Sequence, residues 1–203
     1  MEQHLYVVFS TTAYRLGKII RLLTGENYNH VSVSLDESFT QMYSFGRHYY
    51  RTPLYGGFIK ESPARYYIGP EPANIQVCKI PVTQAQYDAI SQQIAQLQQN
   101  KDQYLYNHLS ALAALLHVRW KIQDAYTCVE FCADLLTQLD ISVKPQFYSV
   151  DSLRTQLQEY VDYTGPMNRP GDDPEFFKKL PFGYVCRKTI SSWLGLIPKM
   201  KRR

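Results

Sequence analysis

The chain has 203 residues, of which 45% are hydrophobic and 20% charged, enough to bury a real core within the usual size of one globular domain. Its formal net charge of +4 owes much to Lys199, Lys201, Arg202 and Arg203 at the C-terminus, so the body is balanced and lacks the broad basic face that nucleic acid requires. No apolar run reaches the length of a membrane span, and the scattered Cys78, Cys128, Cys132 and Cys186 read as reduced thiols rather than a disulfide framework.

The N-terminus runs straight into Leu5-Tyr6-Val7-Val8-Phe9 without a basic leader or a cleavage site, which points to a cytoplasmic protein. That run reads as a strand closed by Ser10-Thr11-Thr12, and Leu16, Ile19, Ile20 and Leu23 then recur at helical spacing up to Gly25. In Tyr28-Asn29-His30-Val31-Ser32-Val33-Ser34, apolar Val31, Val33 and Leu35 alternate with His30 and two serines, as in a strand with one polar face. Asp36-Glu37-Ser38 makes a turn, and Phe39 to Phe45 pairs back as a hairpin.

Gly46, Pro53, Gly56 and Gly57 predict that residues 46–72 are largely loop, with one short strand near Phe58-Ile59-Lys60. Ile75 to Val82 alternates as a strand, and Thr83 caps a helix reaching about Gln98 on Tyr87, Ile90, Ile94 and Leu97. Further helices are expected over Leu109–Val118, Cys128–Leu139 and Val150–Tyr160. The proline-rich residues 164–182 read as an exposed connector before a strand-like Tyr184-Val185-Cys186. The whole is expected to be one α+β domain over residues 1–203, with a basic tail at 194–203.

Two segments carry chemistry. His30 opens a strand and Cys128 opens a helix behind the start signal Tyr126-Thr127. A cysteine in the first helical turn meets unpaired N–H groups and the positive end of the macrodipole, which favour the thiolate, and an imidazole nearby completes its activation. The same N–H groups, including that of Val129, are placed to hold an oxyanion. Cys132, one turn on beside Phe131 and Leu135, reads instead as a small core residue. The Cys128/Cys132 pair has no second close pair or flanking histidines to make a zinc site, and no metal or organic cofactor is implied.

A Tyr-x-His strand, a second strand ending in a small residue and a Cys-led helix later in the chain together resemble the circularly permuted branch of the NlpC-type, papain-like cysteine peptidases. That branch includes the YiiX-like bacterial proteins and the lecithin retinol acyltransferase group. The resemblance covers roughly residues 5–140. It implies a permuted papain-like fold, in which a small antiparallel sheet packs against a helix with the cysteine at its N-terminus. It also implies that Cys128 is the nucleophile, that His30 is the base, and that Tyr28 matches the family tyrosine two places before the histidine.

The family's orienting residue lies on the second hairpin strand, where this chain has neither His nor Glu. A two-residue turn at Asp36-Glu37 puts Tyr43 opposite His30 with Gln41 diagonal to it, whereas a three-residue turn puts Ser44 opposite. Gln41 is the first choice as orienter and Tyr43 the second. The loop from Gly46 to Tyr67, with Tyr49, Tyr50, Tyr55, Tyr66 and Tyr67, either closes over substrate or is simply anchored to the body by its tyrosines.

These readings point to a cysteine amidase or peptidase acting through an acyl-enzyme on an unidentified peptide, amide or acyl-linked substrate. The alternatives are an acyltransferase sharing the thioester, and a binding or scaffold protein that retains the fold without turnover. The basic tail behind Trp193-Leu194-Gly195-Leu196-Ile197 offers weak contact with an anionic membrane surface, or is a solvated terminus.

Overall fold

The computed structural model describes residues 3–12, 25, 27–68, 71–113, 120–139, 141 and 149–200. The expected first helix on Leu16 to Leu23 and the second half of the Leu109–Val118 helix lie outside the described residues.

The strands are β1 (Gln3–Ser10), β2 (His30–Ser34), β3 (Met42–Arg47), β4 (Gly56–Glu61), β5 (Asn74–Val82), β6 (Leu105–Tyr106), β7 (Ala125–Tyr126) and β8 (Val161–Pro166). They form an eight-stranded sheet in the order β7-β6-β4-β3-β2-β1-β5-β8, antiparallel except between β6 and β7. The helices are α1 (Gln84–Gln99), α2 (His108–Ala113), α3 (Cys128–Leu136), α4 (Val150–Gln156), α5 (Pro174–Phe177) and α6 (Phe182–Met200). The fold is thus mixed α+β, with a mainly antiparallel sheet.

β1 lies centrally, between β2 and β5, and its continuous apolar run is what burial on both faces demands. Leu5, Val7 and Phe9 face the main core, where Ile90 and Ile94 of α1, Phe131 and Leu135 of α3 and Leu153 of α4 meet them. Tyr6 and Val8 face the other side, covered by Phe39, Tyr66, Ala73 and Met167 from loops and strand ends.

Two expectations are corrected near the C-terminus. Residues from 164 do not begin a connector: Val161–Pro166 is an edge strand on β5, with its proline at the end, where no neighbour needs its missing N–H. Tyr184-Val185-Cys186 is not a strand but lies within α6. A three-residue β-prone run is overruled there because Leu196 and Met200, one turn apart, pack on Ile122 and Ala125. Helices α3 and α4 also stop short of the expected ends, at Leu136 and Gln156, with a 3₁₀ turn following α4 over Gln158–Tyr160.

The β2–β3 hairpin is closed by a longer loop than either turn the sequence offers. Asp36 Oδ1 accepts from the Gln41 N–H at 2.7 Å and Oδ2 from Thr40 Oγ1 at 2.7 Å, with the Ser38 hydroxyl on the same oxygen, while Phe39 takes a φ of 60°. Burial would raise the Asp36 carboxyl, but these donors outweigh it and hold it down at about 2. The resulting register pairs Val33 with Tyr43 and Ser34 with Met42.

Candidate active site

His30, Ser32 and Ser34 share one face of β2, and Val31 and Val33 the other, which packs into the main core. Continuing the Val33–Tyr43 register brings Gly46 beside His30, and a Cβ at Gly46 would lie 3.7 Å from His30 Cε1 and 3.0 Å from Ile59 Cδ1. A Cβ there would crowd Ile59 and just touch the imidazole.

Across Ser44 and Gly46, β4 supplies the partner. Glu61 lies two strands from β2, opposite Met42 and so level with Ser34 rather than with His30. A long carboxylate side chain and an imidazole span that gap because only serine and glycine stand between them. His30 Nε2 donates to Glu61 Oε1 at 2.7 Å. Glu61 Oε2 accepts from Tyr66 Oη at 2.6 Å and from Ser32 Oγ at 2.9 Å. Ser44 Oγ lies 3.4 Å from the same ring nitrogen and donates to the Val31 carbonyl at 3.1 Å. Ser32 and Ser44 are fully buried, so they hold the acid and the ring rather than leaving room for substrate or facing solvent.

At the start of α3, the Cys128 side chain lies close enough to the His30 ring to bear on its ionisation. Burial would drive the imidazole towards its neutral form, but the Glu61 carboxylate, the nearby Cys128 side chain and the hydrogen bond to Glu61 outweigh it and raise His30 to about 10. Burial likewise opposes ionisation of Glu61, and the charge and hydrogen bond of His30 overcome it, lowering the carboxyl to about 2. Both shifts run towards the charged forms, an imidazolium beside a carboxylate.

The start of α3 is built by a capping box. Thr127 Oγ1 accepts from the Glu130 N–H at 3.2 Å, and Glu130 Oε2 accepts from the Thr127 N–H at 2.7 Å. Ser110 Oγ donates to Glu130 Oε1 at 3.0 Å, tying α3 to α2. With the Phe131 N–H on the Thr127 carbonyl, the N–H groups of Cys128 and Val129 are left without an intrahelical acceptor, as oxyanion donors must be. Thr127→Ala is expected to lower stability by about 1 kcal/mol, read from urea melts, through loss of this cap.

The structure places the expected residues unequally. His30 and Cys128 meet. Gln41 is exposed in the Asp36 loop beside Ser34, at the far end of β2 from His30, so it does not orient the imidazole. Tyr43 is buried on the opposite face, stacked on Phe58 with centroids 6.0 Å apart. Tyr28 is buried in the main core, with the Arg154 guanidinium 5.8 Å from its ring centroid, and does not line the cleft. The carboxylate bonded to His30, Glu61, is not evident from the sequence because its position depends on the length of the β3–β4 connection, although it directly follows the expected Phe58-Ile59-Lys60 strand.

An apolar cleft of about 220 Å³ reaches this site, walled by His30, Glu61, Phe45, Ile59, Leu54, Tyr106, His108, Leu112, Phe176 and Trp193. On the cleft wall, the Tyr106 phenol is pushed well up, by burial first and then by the nearby Cys128 and Glu130. Of the loop tyrosines only Tyr66 lines the cleft. Tyr50 packs on Phe176 and Tyr67 Oη donates to the Met167 carbonyl, which anchor the loop to the body, while Tyr49 and Tyr55 stack on each other within it.

Cys78, Cys128, Cys132 and Cys186 are all free thiols. Among the described residues no three His, Cys, Asp or Glu side chains converge as a metal site, and no helix is long and apolar enough to cross a membrane. No known family model, curated protein or solved structure matches the chain.

Proposed function

We propose that this chain is a cysteine hydrolase of the permuted papain-like kind, cleaving an amide or peptide bond, with Cys128 as nucleophile, His30 as acid and base and Glu61 as the residue that orients His30. The observation that supports this reading is the His30 ring bonded to the buried Glu61 carboxylate at 2.7 Å with the Cys128 side chain close by at the start of α3. The Cys128 thiolate attacks the carbonyl carbon while the N–H groups of Cys128 and Val129 hold the oxyanion. The C–N bond breaks as His30 delivers its proton to the leaving amine. Water, deprotonated by His30, then attacks the thioester, and the C–S bond breaks to release the acid and return the Cys128 thiolate beside a protonated His30.

A generic activated ester tests the acyl-enzyme without knowledge of the natural substrate. Incubation with p-nitrophenyl acetate is expected to give a burst of p-nitrophenol and an acetyl group on the Cys128 peptide in mass spectra. No acetylation at Cys128 would overturn the reading.

One observation favours a second reading, a binding protein without turnover: Cys128 is 5% exposed and is not among the walls of the cleft. That reading expects Cys128 to stay unmodified by acetate ester and alkylating agent alike while the folded protein is intact.

A further inference from the structure

Helix α6 is apolar on two sides. One side is buried, where Leu196 and Met200 pack on Ile122 and Ala125. The other is in solvent: Ile190, Leu194 and Ile197, at i, i+4 and i+7, are 58%, 57% and 49% exposed, and Phe182 at the helix start is 84% exposed. Side chains at that spacing form one stripe along a helix. Large apolar side chains scattered singly over a surface are ordinary, but a continuous stripe of them marks an interaction face.

Charge distribution says what covers it. Residues 178–203 hold eight basic side chains and no acidic one, whereas the other 177 residues hold fourteen basic and eighteen acidic. The net positive charge of the chain therefore resides wholly in the segment built around α6. Lys199 is tied to Asp124 at 3.0 Å, and the Lys188 ammonium lies 5.7 Å from the Tyr184 ring centroid, while Arg187 is on the exposed side. A second copy of the chain is a poor partner, since a two-fold contact of stripe on stripe would oppose two such segments with no acidic residue between them.

We propose that α6 is an interfacial helix that lays Ile190, Leu194 and Ile197 into the headgroup boundary of an anionic lipid surface, with the surrounding lysines and arginines at the phosphates. A convex helix face with no groove of its own suits a surface that yields to it. Docking this way also brings the cleft towards the lipid, because Trp193 on the same helix walls the cleft and stacks on His108 of α2 with centroids 5.2 Å apart. The inference does not depend on the hydrolase reading, since the stripe and the charge lie outside the Cys128–His30–Glu61 site.

Co-sedimentation of the full chain with vesicles tests it. Binding is expected with phosphatidylglycerol mixed into phosphatidylcholine, to fall as salt is raised, and to be weak with phosphatidylcholine alone. The triple variant Ile190→Ser, Leu194→Ser, Ile197→Ser changes only exposed side chains, and its circular dichroism is expected to match the parent. It is expected to bind the anionic vesicles at least about tenfold more weakly, since three apolar side chains are withdrawn from the boundary. Equal sedimentation of parent and triple variant, or no binding to anionic vesicles, overturns the proposal. So does a parent that is dimeric in analytical ultracentrifugation, becomes monomeric in the triple variant and ignores vesicles, for then the stripe is a contact between copies.

Discussion

His30→Ala is expected to slow alkylation of Cys128 by iodoacetamide at about pH 6 by a factor of about 10² to 10⁴, the range a positioned acid-base partner supplies. In the parent, on the proposed mechanism, the His30 imidazole activates the sulfur. Alanine leaves the helix N-terminus to act alone. The measurement is clean in a Cys186→Ser background, because the other thiols are poor competitors. Burial pushes Cys78 up to about 12 despite the pull of Arg154, and burial also raises Cys132, beside Cys128. Cys186, half-buried in α6, is the one cysteine besides Cys128 that needs removing. Equal rates in parent and variant would detach Cys128 from His30 and end the catalytic proposal. A Cys128 that resists labelling in both proteins would leave the non-catalytic reading in place.

The second large effect is expected from Glu61→Gln, which removes the charge from a site where the carboxylate receives three hydrogen bonds and retains 5% exposure. An amide offers one acceptor oxygen where the carboxylate has two, and it points an NH₂ at a neighbouring donor. The imidazole is left without its counter-charge and burial drives it neutral. Breaking such a pair from one side lowers stability by about 3–5 kcal/mol.

The pH dependence has a definite sign. Glu61 is held at about 2 against an ordinary 4.5, so its contribution is complete above about 4.5 and fades as pH falls towards 2. His30 is raised from 6.5 to about 10, so its contribution is complete below about 6.5 and fades as pH rises towards 10. The stability gap between parent and Glu61→Gln is therefore expected to be widest between about pH 4.5 and 6.5 and to narrow on both sides, as urea melts across pH would show. A gap independent of pH would mean that the pair is not ionised. In the same variant the low-pH alkylation of Cys128 is expected to fall, a change that loss of packing alone would not bring about.

Much of the site was legible locally. Thr127 and Glu130 at the spacing of a capping box place a helix start at Cys128, and the Tyr28–Ser34 alternation places His30 on a strand, because caps and side-chain periodicity act over a few residues. The orienting acid was not legible in the same way. Which residue stands near His30 depends on a hairpin register, and Asp36 closes the loop with contacts to Ser38, Thr40 and Gln41 that no two- or three-residue turn contains. That loop leaves Gln41 at the far end of the strand, and it is the smallness of Ser44 and Gly46 that lets Glu61 reach across from β4.

By itself the sequence determined the elements whose signals are short-ranged: the buried β1 run, the capped helix on Ile90, Ile94 and Leu97, and the two ends at which sulfur and imidazole are displayed. Tertiary structure alone decided that Tyr184 to Cys186 coil into α6 rather than extend, that residues from Val161 add an edge strand, and that Glu61 completes the pair with His30. The physical reason is the same in each case. Local propensity differs by tenths of a kcal/mol between helix and strand for such residues, whereas burying Leu196, pairing β8 on β5, or neutralising a buried charge involves kcal/mol that only distant parts of the chain supply.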